Sequence, residues 1–278
     1  MSACDGTFRQ GLAALLVAGV LAVAGPAAWA GRSCEPQKPA VRSLESGLAM
    51  AAKTLQALQA SGERVVILAR SGQDLRKYGL RYSHFGLAYQ QPDGQGGTVW
   101  RVVHKLNTCG TATSDIYRQG LGEFFLDDPW RYEAAWVALT PALQERLLPL
   151  LLDDAWVLRM HQRAYSMVSY PWSTRFQQSN QWVIETLSMA AEPGVATREA
   201  AQAWLRFKGY EPTALKLGAF ERLGARITAA NISFDDHPNE KRFADRIETV
   251  TVDSAFDWLQ RAGLGQRPVE IQLQASGR

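Results

Sequence analysis

The sequence is poor in cysteine and histidine, with three and four copies among 278 residues, and it has no block of lysines and arginines. Its 30 basic residues nearly balance 27 acidic ones, which gives a net charge of +3. Such a balance argues against a dedicated nucleic-acid binder, because those proteins cluster basic residues to neutralise phosphates. The sequence also lacks internal repeats and low-complexity segments. Its 46% hydrophobic and 21% charged residues are typical of a globular protein with a substantial core.

The first 30 residues have the pattern of a secretory signal peptide. Arg9 precedes an apolar run from Leu12 to Ala24, and Ala28-Trp29-Ala30 supplies a small-residue cleavage site. The alternative is an uncleaved membrane anchor, but the run is shorter than the roughly 20 residues that a bilayer span needs. We therefore expect a periplasmic or secreted protein that begins near Gly31 and keeps no membrane span after cleavage.

Export changes what the cysteines can do. Cys4 leaves with the signal peptide, so the mature chain keeps Cys34 and Cys109. Two cysteines in an oxidising compartment are more often a structural disulfide than a nucleophile or a metal pair. A Cys34–Cys109 disulfide is therefore expected, and two unpaired buried thiols are the alternative.

The hydrophobic pattern predicts an α+β protein. Residues 31–43 are polar and contain proline, which is typical of an extended arm. The expected helices and strands then follow along the chain: helix 44–61, strand 64–69, strands 83–89 and 98–104, helix 140–164, helix 180–191 and helix 198–208.

The segment between strands 83–89 and 98–104 contains Asp93-Gly94 and further glycines, which predicts a hairpin. If the turn is centred on Gly94, His84 lies directly opposite His104. Side chains that face each other across an antiparallel pair share one face of the sheet, at a Cβ separation of about 4.5–5.5 Å. One buried and one exposed histidine, with no shared role, is the alternative.

Two facing histidines could bind a metal or act as a base with its orienting partner. No cluster of acidic residues or cysteines accompanies them at metal-ligand spacing, so neither a metal site nor another cofactor is expected. A base needs a nucleophile, and Ser179 comes directly before the helix predicted from Asn180. At that position free backbone amides could stabilise an anion. Serine is also a preferred helix N-cap, which is the alternative role for Ser179.

These segments resemble the permuted papain-like proteins, which include lecithin retinol acyltransferase and relatives of bacterial cell-wall peptidases. Ser83-His84-Phe85-Gly86 matches the strand motif that carries the histidine, and His104 matches the polar partner on the next strand. Residues 178–183 (QSNQWV) match the start of the helix that carries the catalytic cysteine. The resemblance covers about residues 64–191.

The whole mature chain also resembles an uncharacterised family of exported bacterial proteins. This resemblance implies no activity. The segments that carry this resemblance are GQDL (72–75), YSH (82–84), LNTCG (106–110), QGL (119–121) and SNQW (179–182).

The papain-like resemblance implies a core at 44–191 with a small antiparallel sheet and a nucleophile helix, followed by a C-terminal α/β extension at 192–278. Serine replaces the expected cysteine at position 179, and a hydroxyl ionises far less readily than a thiol. Two functions therefore stay open.

The first is a periplasmic hydrolase or acyltransferase that acts on an amide or ester. Its base would be His84, oriented by His104, its nucleophile Ser179, and its oxyanion hole the amides of Ser179 and Asn180. The second is a non-catalytic binding or envelope-assembly module that keeps the cleft. The compartment suggests a peptidoglycan or lipid partner for either function.

Overall fold

Antiparallel strands organise the computed structural model, which describes residues 38, 40–127 and 129–273. In chain order the strands are β1 (Val65–Ser71), β2 (His84–Pro92), β3 (Thr98–Asn107), β4 (Ser114–Gly120), β5 (Arg131–Ala138), β6 (Thr213–Lys216), β7 (Arg246–Thr249) and β8 (Val269–Gln272). Six of them form one sheet in the order β4-β3-β2-β1-β5-β8, and β6 pairs with β7 separately. Every pairing is antiparallel.

The described residues contain nine α-helices, several of which pack against the large sheet. They are α1 (Val41–Ser61), α2 (Leu121–Leu126), α3 (Pro141–Leu151), α4 (Asp154–Leu158), α5 (Ser179–Ala191), α6 (Arg198–Phe207), α7 (Ala219–Thr228), α8 (Asn239–Phe243) and α9 (Val252–Arg261). The expected α+β class is confirmed. None of these helices combines the length and the apolar character that crossing a bilayer requires.

The large sheet buries a different set of side chains on each face, because successive residues of a strand point to opposite sides. Phe85, Leu87 and Val103 pack with the inner residues of α3, α5, α6 and α9, and we call this side the α5 face. Ala88 and Val102 pack with residues of α1 and α2, and we call this side the α1 face. Neighbouring residues of one strand therefore lie on opposite sides of the sheet, in different clusters.

Helix α2 lies very close to α1, and a glycine permits this approach. A Cβ atom added to Gly47 would come within 2.9 Å of both the Phe125 carbonyl oxygen and the Leu126 side chain. A larger residue at position 47 would therefore force α1 and α2 apart. Phe124, in the same short helix α2, packs among the buried residues of the α1 face.

Several expected elements differ in the structure. Residues 41–43 begin helix α1 instead of extending the arm. The helix expected at 140–164 is broken, because the Asp153 side chain accepts hydrogen bonds from the amides of Ala155 and Trp156 and so caps a new helix. His161, expected in that helix, lies in the loop that follows α4. The predicted signal peptide at 1–30 and Cys34 lie outside the described residues.

Within residues 192–273, β6 and β7 form their own small sheet with a separate apolar cluster, but other C-terminal elements join the main fold. Strand β8 pairs with β5 through Glu133–Gln272 to Trp136–Val269 and so forms one edge of the large sheet. In the cluster on the α5 face, residues of α9 pack among those of α3 and α5. The segment at 192–278 therefore contributes both a strand and core residues to the fold that carries the site.

Candidate functional site

The two histidines predicted to face each other do meet, although not in the expected register. His84 Nε2 and His104 Nδ1 are 2.8 Å apart. Strands β2 and β3 pair Leu87 with Val103, so the hairpin is centred one residue beyond Gly94, and continuing the register places Gly86 opposite His104. The error is two residues, an even number, and His84 therefore stays on the same face as His104 as its diagonal neighbour.

Gly86 makes room for this contact. A Cβ atom on Gly86 would lie 2.8 Å from the Cβ of His104, 2.8 Å from a Val102 methyl group and 2.9 Å from the Val103 carbonyl oxygen. Any other residue would therefore displace the His104 side chain or separate the strands. The glycine of the Ser-His-x-Gly motif has a steric role here.

The histidines belong to a polar row that crosses four strands on the α1 face. Arg70 on β1 lies opposite His84 on β2, and His104 Nε2 lies 2.8 Å from Gln119 Oε1 on β4. The ring of Phe124 covers the row, with centroids 5.3 Å from His104 and 6.1 Å from His84. The Arg70 guanidinium lies over the Phe124 ring and forms an ion pair with the Asp127 carboxylate.

Both imidazoles are held in the neutral state. Burial lowers the pKa of His104 from 6.5 to about 3, and the nearby Arg70 guanidinium lowers it further, against the opposing effects of the Gln119 hydrogen bond and the Asp127 carboxylate. Burial also places the pKa of His84 well below its ordinary value, with Arg70 and His104 acting in the same direction. The Asp127 carboxylate is paired with Arg70, so it offsets only part of the cation's effect.

One nitrogen of the pair remains open. Within residues 38–273 as described, His84 Nδ1 has no hydrogen-bond partner. His84 is partly exposed as a residue, whereas His104 is 0% exposed. The pair thus presents one ring nitrogen that no protein group occupies, backed by a buried second ring.

Asn180 fixes the backbone on both sides of His84. Its side-chain oxygen accepts a hydrogen bond from the Phe85 amide at 3.2 Å, and its side-chain nitrogen donates to the Ser83 carbonyl at 3.3 Å. Asn180 is 4% exposed, so these bonds are shielded from water. The Ser83 hydroxyl in turn accepts bonds from the amides of Gly72 and Gln73 and orders the loop after β1.

Ser179 does not join the histidine pair. It is the first residue of α5, which packs on the α5 face, whereas both imidazoles lie under Phe124 on the α1 face. No hydrogen bond joins Ser179 to either imidazole in the part of the chain that the structure describes. Its hydroxyl lies instead beside that of Tyr165. Burial raises the pKa of Tyr165, and the hydrogen bond with Ser179 offsets part of this rise.

The predicted roles of the start of α5 therefore change. The N-cap is Gln178, whose side chain accepts a hydrogen bond from the Asn180 amide, so Ser179 is not the cap. The Asn180 amide was expected to form part of an oxyanion hole. It donates instead to Gln178 Oε1 at 3.4 Å. The start of the helix is also buried, with Ser179 at 7% exposure. The side chain of Asn180, more than its amide, links this helix to the histidine site.

A second polar cluster lies on the α5 face, and the sequence did not reveal it. The Glu185 carboxylate, 0% exposed, accepts hydrogen bonds from Arg198 at 2.7 and 3.1 Å and from the side-chain amides of Gln177, Gln181 and Gln202. The side-chain nitrogen of Lys105, the strand residue after His104, donates to Gln177 Oε1 at 2.7 Å. Burial lowers the pKa of Lys105 to about 6, and Arg198 acts in the same direction.

Two other features, the Asp236–His237 pair and Cys109, lie outside the row. Asp236 and His237 form a buried pair at 3.1 Å, and His237 also contacts the Glu248 carbonyl. Within the described residues no group of three or more His, Cys, Asp or Glu could hold a metal ion. Cys109 lies in the turn after β3, and since Cys34 is outside the described residues their pairing stays a prediction.

Sequence reasoning gave no site role to Arg70, Gln119 or Phe124, which complete the row, although QGL (119–121) was among the segments that carry the family resemblance. Nothing local places Gln119 beside His104, because strand β4 shows no clear alternation of apolar and polar residues. Arg70 lies near the end of an otherwise apolar strand, and a charged residue entering a buried strand is the signal that could have marked it.

The chain belongs to a bacterial family that is described as an uncharacterized protein conserved in bacteria (DUF2145). The family model matches residues 57–259, which include the row on the α1 face, Ser179 and the Lys105–Glu185 cluster. No curated protein and no solved structure matches the chain. The function must therefore be argued from the site itself.

Proposed function

We propose that this protein is an exported, non-catalytic binding module of the cell envelope, in which His84 contacts the ligand. The observation that carries the proposal is the separation of Ser179 from the histidine pair by the sheet. A serine nucleophile needs a base within hydrogen-bond reach to remove its proton. The hydroxyl of Ser179 has Tyr165 as its neighbour, and burial keeps that phenol protonated by raising its pKa.

The electrostatics of the row support the same function. An effective general base has a pKa near the working pH, and its protonated form is stabilised by a neighbouring carboxylate or other acceptor. His84 has the opposite surroundings, because burial and the Arg70 cation both lower its pKa and oppose its protonation. A neutral imidazole in this setting is a weak base, but it is a good hydrogen-bond acceptor.

The module is of the permuted papain-like type, with the order of strand, strand and helix retained. Support comes from the Ser83-His84 strand, the His104 strand beside it, and a helix that opens at Ser179 and packs on the sheet. Asn180 preserves the contact between that helix and the histidine strand. In this scheme the catalytic activity is lost, and the arrangement of the two strands and the helix is kept. The signal-type pattern of the N-terminus supports a ligand in the envelope, either peptidoglycan or lipid.

A second candidate is the hydrolase or acyltransferase with Ser179 as nucleophile. One observation favours it: a buried second ring orients the first and leaves a ring nitrogen open, which is the arrangement that a catalytic base requires.

Labelling with a serine-directed fluorophosphonate separates the two functions. Wild type, Ser179→Ala and His84→Ala are treated with the probe, and labelled peptides are mapped by mass spectrometry beside an active serine hydrolase as positive control. We expect no Ser179-dependent labelling. A probe adduct on Ser179 that disappears in His84→Ala would establish the enzyme and overturn the binding module.

Binding is measured by co-sedimentation with purified peptidoglycan and, separately, with phospholipid vesicles. We expect the wild type to bind one of them and His84→Ala to bind it at least several-fold more weakly. Ser179→Ala is the matched control and should bind like wild type. Equal binding by wild type and His84→Ala, or binding to neither material, would contradict the proposed role of His84.

A further inference from the structure

The polar row on the α1 face determines which nitrogens of the two imidazoles carry hydrogen. Gln119 Oε1 can only accept a hydrogen bond, so His104 Nε2, 2.8 Å away, must be its donor. A neutral imidazole carries a single N–H. Because both rings are held neutral, His104 Nδ1 is then an acceptor.

The same reasoning extends to the second ring. His104 Nδ1 as acceptor requires a donor at 2.8 Å, and that donor is His84 Nε2. The single N–H of the neutral His84 ring is therefore used in this bond. His84 Nδ1, the nitrogen without a partner in the described residues, is left with a lone pair.

We infer that Gln119, on the edge strand β4, is a positioning residue that fixes both histidines as Nε2–H tautomers and makes His84 Nδ1 a hydrogen-bond acceptor. The ligand group that meets His84 is then a donor, a hydroxyl or an amide N–H. The identity of the ligand group rests on the proposed binding function, but the tautomer assignment does not.

The surroundings of the row maintain this arrangement. Phe124 covers both rings, and Gly86 lets His104 approach β2 closely enough to reach His84. His104 is 0% exposed, and Gln119 is the hydrogen-bond partner of its Nε2. Gln119 itself is partly exposed and lies on β4, two strands away from His84 on β2.

The test is the ¹⁵N NMR spectrum of the histidine rings at neutral pH, because protonated and lone-pair ring nitrogens have well separated shifts. In wild type we expect both His84 and His104 to show a protonated Nε2 and a lone-pair Nδ1. A His84 ring protonated at Nδ1 would overturn the assignment, whatever the protein binds.

Two substitutions at Gln119 sharpen the test. Gln119→Leu removes the acceptor, so part of the population should shift to Nδ1–H rings at both histidines. Gln119→Glu restores an acceptor and should return the wild-type tautomers, with a raised pKa at His104 because of the added negative charge. If Gln119→Leu is folded and leaves the tautomers unchanged, Gln119 has no positioning role. If it does not fold, a loss of the wild-type tautomers in Gln119→Glu leads to the same conclusion.

The ligand class is tested separately with two small probes. N-acetylglucosamine offers hydroxyl and amide donors, whereas acetate offers only acceptors. We expect N-acetylglucosamine at tens of millimolar to shift the His84 Nδ1 resonance and acetate to leave it in place. A shift with acetate alone, or with neither probe, would overturn the ligand class and leave the tautomer assignment standing.

Discussion

The two faces of the large sheet each bury polar side chains, but they compensate them differently. On the α5 face the Glu185 carboxylate is bound by the Arg198 guanidinium and by three side-chain amides. On the α1 face the two histidines are neutral, and the row that holds them leaves one ring nitrogen without a partner in the described residues. We call the Glu185 cluster closed, because its carboxylate is fully hydrogen-bonded, and the histidine row open, because it leaves one ring nitrogen without a partner among those residues.

This difference assigns the two clusters to different tasks. A fully satisfied charged network holds neighbouring elements in one arrangement and has no capacity left for a ligand. An acceptor without a protein partner on a partly exposed residue can be hydrated when the site is empty, and it stays available to a ligand. The Glu185 cluster therefore has a structural role, and the His84 end of the row is where the proposed ligand would bind.

The largest expected effect comes from removing the cation of the closed cluster. Arg198→Met leaves the Glu185 carboxylate buried without its counter-charge and should cost about 3–5 kcal/mol of unfolding free energy, measured by urea denaturation. The matched control is Arg76→Met, which breaks the exposed pair with Asp74 and should change stability little. A loss below about 1 kcal/mol for Arg198→Met, typical of a surface pair, would show that the cluster is not closed as described.

Lys105 should make stability depend on pH. Its pKa falls from 10.5 to about 6 in the folded protein, so between these values the unfolded chain binds a proton that the native state releases. The free energy of unfolding should therefore rise as pH rises through this window. Urea denaturation at several pH values should show a shallower rise in Lys105→Met. Equal slopes for the two proteins would contradict the lowered pKa.

The open cluster should respond to crowding at Gly86. Gly86→Ala places a methyl group within 2.8 Å of His104 and Val102, and overpacking of this kind costs about 1–3 kcal/mol. Its control is Gly122→Ala in helix α2, where the added Cβ meets its nearest atom at 3.8 Å. That change should stabilise the protein by about 0.4–1 kcal/mol, since alanine restricts the unfolded chain. Thermal or urea denaturation measures both, and a harmless Gly86→Ala would argue against the tight contact.

The sequence predicted the parts of this fold that depend on local pattern. The Asp93-Gly94 segment indicated the hairpin, and the alternation of strands placed His84 and His104 on one face even though the turn is centred one residue later. Helix α5 was expected one residue from where it begins. These features follow from side-chain periodicity and turn chemistry, which are visible in a single sequence.

Other parts depend on contacts between distant residues. Strand β4 carries Gln119 next to His104, yet its own pattern does not predict a strand. The side of the sheet that α5 covers decides whether Ser179 can meet His84, and packing decides that side. The cluster of Lys105, Glu185 and Arg198 joins residues that lie far apart in the sequence. The predicted Cys34–Cys109 disulfide is checked by mass mapping of the oxidised mature protein.

The most direct test is the pH titration of the His84 and His104 rings by NMR. We predict that both rings stay neutral from about pH 8 down to about pH 5, below the range in which free histidines take up a proton. His104 should begin to titrate only as pH approaches its pKa of about 3. A midpoint between about pH 6 and 8 for either ring would contradict the neutral acceptor site and restore a catalytic base.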